Sequence, residues 1–339
     1  MPMRWKNRPE GSNWGEFGPD DERGRLNLIT HDKVLQGVAE VKEGVVFSLS
    51  LPLDLPGGNV LNPSRFPPKL EPTRRGDEPV FLRLFSPEYN TTDVACDDVV
   101  KMSLQYSTQW DAFAHIGSQF DADGDGTPEV VFYNGYRGDS DFVHPKHTPD
   151  GRSYAHRLGI ENMARHGVQG RGVMIDLRAH FGDERRKVGY DDITRVCDED
   201  GVVIERGDIV CFHTGFADLI VSMGGQPDGD KLRKSCAVLD GADHRLLDWI
   251  DRSGLAAIVA DNYAVEDRPY EYHGDGCHAL LPLHEKCLFK LGIHLGELWH
   301  LTPLATWLRG AKRSRFLLTA PPLHLPGAVG SPVNPIATV

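Results

Sequence analysis

The sequence has little of what nucleic-acid-binding, membrane and secreted proteins need. Its 339 residues carry 37 Lys or Arg against 49 Asp or Glu, and a net charge of −12 argues against general binding to nucleic acid or anionic membranes. No apolar run approaches transmembrane length, and the start, Met-Pro-Met-Arg-Trp-Lys-Asn, lacks the apolar core of a signal peptide. We therefore expect a cytoplasmic protein with no membrane or nucleic-acid partner.

Two motifs are also missing. The six cysteines form no Cys-x-x-Cys pair and no short-spaced framework, so we expect reduced, mostly buried thiols. No Gly-x-Gly-x-x-Gly follows a predicted strand, which leaves a nucleotide cofactor without support. The sequence also has no internal repeat and no low-complexity segment.

What is present is an ordinary globular composition, 40% hydrophobic and 25% charged. This length predicts a single domain over residues 1–339. Residues 1–30 are rich in turn-forming residues and hold two tryptophans, which predicts an ordered N-terminal arm. Residues 54–92 are rich in proline, and we expect a long loop there that covers a site or reaches a partner subunit.

Alternating helix and strand patterns follow one another and predict an α/β fold. Residues 30–42 read as an amphipathic helix capped by Thr30, with Val34, Leu35, Val38 and Val41 on its apolar face. Further helices are predicted at residues 193–203, 240–252 and 280–290. Strands are predicted at residues 45–53, 172–177, 209–215, 255–260, 293–299 and 315–320, and residues 327–332 read as a loop.

The most informative stretch runs from Ser103 to Gly117. If it is a strand that enters a loop, alternate residues share a face, so Gln105, Gln109 and Asp111 line one side and His115 follows. Buried polar side chains need hydrogen-bond partners, so this row suits the wall of a cavity. A solvated strand face beside a chance histidine is the alternative interpretation.

A second pair of polar residues follows in the last third of the chain. His284 and Glu297 are thirteen positions apart, across a predicted helix, a turn and a strand. They cannot meet as neighbours on one helix. They meet only if the helix folds back so that both residues face one cavity.

The frame from Gln105 to His115 resembles a known signature. It reads Gln-Tyr-Ser-Thr-Gln-Trp-Asp-Ala-Phe-Ala-His, and the cyclase family of metal-dependent hydrolases, which includes kynurenine formamidase and isatin hydrolase, has His-x-Gly-Thr-His-x-Asp-x-Pro-x-His. Asp111 and His115 match, whereas Gln105 and Gln109 replace histidines. A larger branch of the family, with Thr-Gln-Trp-Asp here, is more similar. Weaker similarities in the same order extend the resemblance over about residues 12–335.

The resemblance implies a swivelling β/β/α domain with a mixed sheet and flanking helices, usually a homodimer. It also implies a hydrolase that opens a small cyclic amide, imide or lactone, or cleaves an N-acyl bond. His115, His284 and Glu297 are then the expected catalytic residues, and Asp111, Gln109 and Gln105 the expected ligands of a divalent metal, Mn or Zn. Amide oxygens are hard ligands, which favour Mn, Mg or Ca over Zn.

Two alternatives remain open. In a metal-free site, His115 is the general base and the glutamine amides donate to the oxyanion. In a non-hydrolytic family member, the same cavity binds a small molecule or closes or isomerises a ring.

A separate acidic motif predicts a calcium site at residues 121–129. Asp121, Asp123 and Asp125 occupy the first, third and fifth positions of a calcium loop, with Gly126 at the sixth. The twelfth position is Phe132 instead of a glutamate, so an acidic turn without an ion is the alternative.

Overall fold

The computed structural model describes residues 4–268 and 277–339, and its centre is one large curled sheet of nine strands. The strands are β1 (Val46–Ser48), β2 (Gln109–Asp111), β3 (Gln169–Asp176), β4 (Ile209–His213), β5 (Ala257–Ala260), β6 (His294–Glu297), β7 (Arg315–Thr319), β8 (Gly330–Pro332) and β9 (Ile336–Thr338).

The sheet is mixed, in the order β1-β9-β7-β3-β4-β5-β6-β2-β8. The four central strands, β3 to β6, are parallel, and the remaining neighbours pair antiparallel. Every residue of β4 and β5 is buried, because helices cover both faces of the parallel part. The α/β fold with a mixed sheet and flanking helices is thus confirmed.

The four longest helices are α1 (His31–Val38), α2 (Tyr190–Asp200), α3 (His244–Ser253) and α4 (Thr302–Ala311). The apolar sides of α2 and α3 pack on one face of the sheet, and those of α1 and α4 pack on the other. Shorter helical segments lie at Gly24–Leu28, Ser86–Tyr89, Tyr133–Gly135, Pro145–His147, Glu161–His166, Leu177–Phe181, Phe216–Ser222, Gly229–Arg233, Pro282–His284 and Glu285–Leu291.

Helix α3 shows how closely local signals set the helix ends. The Asp243 carboxylate accepts the backbone N–H groups of Arg245 and Leu246, which are free donors at a helix start. Gly254 ends the helix in the left-handed region, with φ of +67°. The predicted helix at residues 240–252 is therefore shifted by only a few residues.

The predicted apolar face of α1 is only partly correct, because Val34 packs against the core but other members of the face do not. Thr30 caps the helix as expected, but Leu35 and Val38 are exposed, and Lys33 and Gly37 are the buried residues. A Cβ at Gly37 would lie 2.8 Å from the Gly170 backbone, so close approach to β3 decides which side faces inward. Close backbone packing at Gly37 and the buried charge of Lys33 therefore decide which side of α1 faces the sheet, rather than the spacing of its apolar residues.

Residues 54–92, predicted as one long loop, have no strand or helix up to residue 68 but contain short strands from Lys69 onward. With residues 93–101 they form an excursion built of small antiparallel ladders, Lys69–Pro72 with Asp98–Lys101, Arg74–Arg75 with Glu78–Pro79, and Arg83–Leu84 with Val94–Ala95. Apolar side chains such as Leu70, Leu82 and Val100 are exposed on it. Coverage by a partner subunit stays a prediction.

The remaining small ladders lie around the sheet and complete the strand inventory. They pair Ser118–Phe120 with Glu129–Val131, Phe142–Val143 with Tyr154–Ala155, and Arg186–Val188 with Ala237–Leu239. The predicted loop at residues 327–332 is also wrong, because residues 330–332 form the edge strand β8. Residues 45–53 contribute only the short strand β1.

The N-terminal arm packs against the segment that precedes β6. The Trp14 indole donates to the Phe289 carbonyl at 2.8 Å, and the Asn13 amide donates to the Leu291 carbonyl at 2.9 Å. A Cβ at Gly24 would lie 2.1 Å from the Gly292 carbonyl oxygen, so this contact requires glycine. The arm is therefore an ordered part of the fold, as its tryptophans predict.

All six cysteines are unpaired, but only Cys211, Cys236 and Cys287 are buried, and Cys96 and Cys277 are exposed, so the expectation of mostly buried thiols is met by only half of them. Within residues 4–268 and 277–339, none of the helices combines the length and the apolar character needed to cross a bilayer.

A buried ion cluster connects α1 to the sheet. Asp208, just before β4, accepts two hydrogen bonds of 2.9 Å from Arg171 and one of 3.0 Å from Lys33. All three side chains are nearly inaccessible to solvent. Glu205, which is partly exposed, also pairs with Arg171 at 2.8 Å and lies 3.6 Å from Lys33, so Asp208 is the buried one of the two carboxylates that balance these cations.

We predict that Asp208→Ala lowers the free energy of unfolding by about 3–5 kcal/mol, because it leaves two buried cations with the partly exposed Glu205 as their remaining carboxylate. Asp230→Ala removes an exposed ion pair with Arg233 and should cost less than about 1 kcal/mol. Urea denaturation of both variants checks this. Equal effects of the two changes would contradict it.

Candidate active site

The register between two strands places the first polar residues together. Antiparallel β2 and β6 pair so that Gln109 lies opposite Glu297 and Asp111 opposite Leu295. Opposed residues project to the same side of a sheet, and side chains alternate along each strand. Gln109, Asp111 and Glu297 therefore share one face, and all three are buried.

His284 reaches this face from a helical segment that folds back onto it. Residues 285–291 form a short π-helix that ends at Gly292, whose φ of +58° reverses the chain into β6. The His284 Nε2 atom then lies 3.3 Å from Glu297 Oε1. One ligand atom each from Asp111, His284 and Glu297 lies within 4.8 Å of the others, so the expected meeting of the two halves occurs.

Glu266 holds His284 from the other side, and sequence reasoning missed it. Its Oε1 atom accepts the His284 Nδ1–H at 2.7 Å and the His284 backbone N–H at 2.9 Å, while Oε2 accepts the Leu283 N–H at 2.9 Å. Glu266 follows a polar turn after β5 and belongs to none of the motifs that the sequence displays. Its one signal was a carboxylate four residues beyond Asn262.

Gln109 lies between the two carboxylates of the cluster. Its amide nitrogen donates to Asp111 Oδ1 at 3.1 Å and to Glu297 Oε2 at 3.4 Å. Within the described residues, Gln109 Oε1 and Asp111 Oδ2 are buried and have no hydrogen-bond partner. A buried polar atom without a partner costs about 1–3 kcal/mol, so these oxygens indicate a ligand position.

The carboxylates of the cluster favour a positive charge on the His284 imidazole, which lies between them. Burial raises the pKa of Asp111, an effect that His115 opposes and Glu297 increases. Burial alone would lower the pKa of His284, but hydrogen bonds to Glu266 and Glu297 outweigh it and raise the pKa to about 10. Burial likewise acts to raise the pKa of Glu297, and His284 reverses this and lowers it.

His115 lies at the border between this cluster and solvent. Its Nε2 atom is 4.0 Å from Asp111 Oδ1, and its side chain is 21% exposed, whereas Asp111 is fully buried. It is therefore the accessible titratable group beside the buried cluster.

Gln105 lines a narrow cleft together with Tyr106 and Tyr263. Its amide nitrogen is buried and has no partner within the described residues. A Cβ at Gly330 would lie 2.5 Å from this nitrogen, so the glycine leaves room for Gln105 beside β8. The structure thus groups Asp111 with His284 and Glu297, and it places Gln105 beside Gly330, the residue of β8 that pairs with Asp111.

Other polar residues in the similar segments have structural partners. Asp261 accepts the Thr214 hydroxyl and the N–H groups of Thr214 and Gly215, at 2.6–2.7 Å. His213 hydrogen-bonds to Asp176 at 2.7 Å. These contacts tie together the ends of adjacent parallel strands and leave both groups outside the cluster.

The acidic turn brings together Asp121, Asp123 and Glu129, and Asp125 lies outside this group. Asp121 accepts three backbone N–H groups of the turn, and Arg137 pairs with Glu129. Hydrogen bonds and an ion pair already occupy these carboxylates, and calcium stays a prediction.

Comparison with known proteins identifies the fold and the family. The Cyclase family model matches residues 47–267, about two thirds of the chain. The chain belongs to the cyclase family. A crystal structure described as a novel cyclase is 29% identical, covers 97% of each chain and superimposes with a TM-score of 0.74.

More distant cyclase-fold structures include two isatin hydrolases A. The one from Ralstonia solanacearum is 15% identical over 90% of this chain and 95% of its own, with a TM-score of 0.55. The one from Labrenzia aggregata, bound to benzyl benzoate, is 14% identical over 90% and 97%, with a TM-score of 0.54. No curated protein matches this cyclase in sequence.

The cluster has the chemistry of a divalent-metal site. It offers carboxylate oxygens from Asp111 and Glu297 and an imidazole nitrogen from His284. One of the Asp111 oxygens, Oδ2, has no hydrogen-bond partner among the described residues. Metal-bound histidines usually donate their second N–H to a carboxylate, which is the relation of His284 to Glu266. The residues present therefore fit a metal ion.

We predict that Glu266→Gln lowers the stability of the chelator-treated protein by about 1–3 kcal/mol, because an amide cannot accept all three hydrogen bonds at this buried position. The matched change Glu285→Gln alters a partly exposed residue paired with Lys290 and should cost less than about 1 kcal/mol. Chemical denaturation measures both, and an unchanged midpoint for Glu266→Gln would contradict the role of Glu266.

Proposed function

We propose that this chain hydrolyses a small cyclic amide, imide or lactone, or an N-acyl bond, with His115 as general base beside a divalent metal, Mn or Zn. Asp111, His284 and Glu297 would hold the metal. The observation that carries the proposal is the buried three-residue cluster with an unpartnered carboxylate oxygen beside an accessible histidine. The isatin hydrolases support it, because isatin is a cyclic amide.

Hydrolysis needs a base for the attacking water and a donor for the oxyanion. His115 takes the proton of the water as the new C–O bond forms, and passes it to the leaving nitrogen or oxygen as the ring bond breaks. The product is a carboxylate together with an amine, amide or hydroxyl group. The free amide N–H of Gln105, at the cleft, is a candidate donor to the oxyanion.

A bound divalent metal supplies Lewis acidity, which polarises the carbonyl and lowers the pKa of water. Gln109 keeps the carboxylates of Asp111 and Glu297 turned toward one point by donating to both. Glu266 fixes the ring orientation of His284. These contacts prepare the ligand atoms before any ion arrives.

We predict about one equivalent of Mn or Zn in the purified protein, which a chelator removes. Asp111→Asn should lose it, because a carboxylate ligand becomes a weaker amide. Asp123→Asn, in the acidic turn, should retain it. Elemental mass spectrometry of the three proteins checks this, and full transition-metal occupancy in Asp111→Asn would contradict the ligand set.

We predict that His115→Ala retains the metal but turns over ring-opening substrates about 10²–10⁴-fold more slowly, because the base is lost. His31→Ala, an exposed histidine at the start of α1, is the matched control. A panel of cyclic amides, imides and lactones that includes isatin supplies the assay. Undiminished turnover by His115→Ala would exclude His115 as the base.

A non-hydrolytic reaction, ring closure or isomerisation, is the second candidate. The replacement of two motif histidines by Gln105 and Gln109 favours it. A metal-loaded protein that binds cyclic ligands tightly but opens none of the panel would support this candidate over hydrolysis.

A further inference from the structure

A cavity opens where two strands of the large sheet end at different levels. Strand β7 begins at Arg315, opposite Val173, so the last three residues of β3, from Met174 to Asp176, extend past it. The C-terminal ends of α2 and α4 border this gap. The space open to solvent is about 330 Å³, within the ~300–1,000 Å³ of small-molecule sites.

The cavity combines apolar and charged side chains. Its apolar lining includes Met174 of β3, Val202 after α2 and Leu308 of α4, which can bury a small hydrocarbon group. Its charged lining consists of three acids from β3 and α2 and three bases from α4 and the turn that follows it. The partners of these six side chains decide which charge a ligand would need.

The three acids of the cavity already have histidine partners. Asp176 hydrogen-bonds to Nδ1 of the buried His213 at 2.7 Å. His180 lies between the other two acids, with one ring nitrogen 3.3 Å from Glu199 and the other 2.9 Å from Asp200. The acidic side of the cavity therefore does not require a cation from outside the chain.

The three bases have donors to spare. Arg309 uses one guanidinium nitrogen, Nη1, to pair with Asp176. The Lys312 ammonium is exposed and has no ion-pair partner among the described residues. Arg313 donates through Nη2 to the Glu40 carbonyl, whereas its Nη1 is buried and has no acceptor within the described part of the chain. A charged donor without an acceptor is unfavourable, so this side of the cavity favours an anion.

We propose that this cavity is a binding site for a small amphipathic anion. A carboxylate or phosphate group of the ligand would contact Arg309 and Lys312, and its apolar body would pack against Met174 and Leu308. Arginine binds both head groups through two parallel hydrogen bonds. None of the described residues that line the cavity belongs to the candidate active site, so the proposal does not depend on the hydrolase function.

Calorimetry with 4-phenylbutyrate and its neutral amide, 4-phenylbutyramide, tests the charge preference. The protein is treated with a chelator, so that no metal at the candidate active site holds the carboxylate. Wild type should bind the acid at least 10-fold more tightly than the amide, and Lys312→Gln should lose most of this preference. Lys234→Gln is the matched control, because Lys234 is likewise an exposed lysine at the end of a helix, and it should keep the preference. Phenyl phosphate in place of the acid then identifies the preferred head group.

A second pair of variants tests the location of the site. Ala179 lines the cavity from an exposed position, so Ala179→Leu should fill part of it and weaken binding of the acid at least 10-fold, whereas Ala179→Ser should bind normally.

Three results would overturn the proposal. They are equal binding of acid and amide by wild type, a preference that Lys312→Gln leaves intact, and binding that Ala179→Leu leaves intact but Asp111→Asn abolishes. The last result would place the anion at the candidate active site instead. Loss of ring-opening activity in His115→Ala has no bearing on these measurements, so the two proposals can fail separately.

Discussion

The antiparallel register of β2 and β6 is the constraint on which the candidate site depends. It sets Gln109 against Glu297 and keeps Asp111 on the same face, so one amide can hold two carboxylates at once. A slip by one residue would turn these groups to the opposite face and place Trp110 in the cavity. The outer strand β8 pairs with β2 from the other side and helps to exclude that slip.

The rest of the fold brings His284 to that face and holds it there. Gly292 reverses the chain between the helical segment and β6, and the N-terminal arm packs on this segment through Trp14. The Glu266 carboxylate accepts a hydrogen bond from His284 Nδ1, on the side of the ring away from Glu297. The result is a buried group of carboxylates around the His284 imidazole that favours a cation, with the partly exposed His115 at its border.

The sequence predicted the α/β fold because strand alternation and helix caps are local signals, and it predicted the two halves of the cluster through its resemblance to the cyclase family. It could not identify Glu266, whose role comes from a tertiary contact with His284 that no spacing encodes. The inward side of α1 was only partly predicted, because Gly37 approaches the sheet backbone and Lys33 meets a buried carboxylate. The short strands within residues 54–101 were missed because their side chains are exposed, so apolar and polar residues do not alternate along them.

Anomalous diffraction at the Mn or Zn absorption edge, from crystals of the metal-loaded protein, tests the central claim most directly. The account predicts one strong peak within bonding distance of Asp111, His284 and Glu297, with Glu266 still bonded to the far side of the imidazole. Absence of density among these three residues in a protein shown to contain the metal, or a peak only at the acidic turn of residues 121–129, would contradict it.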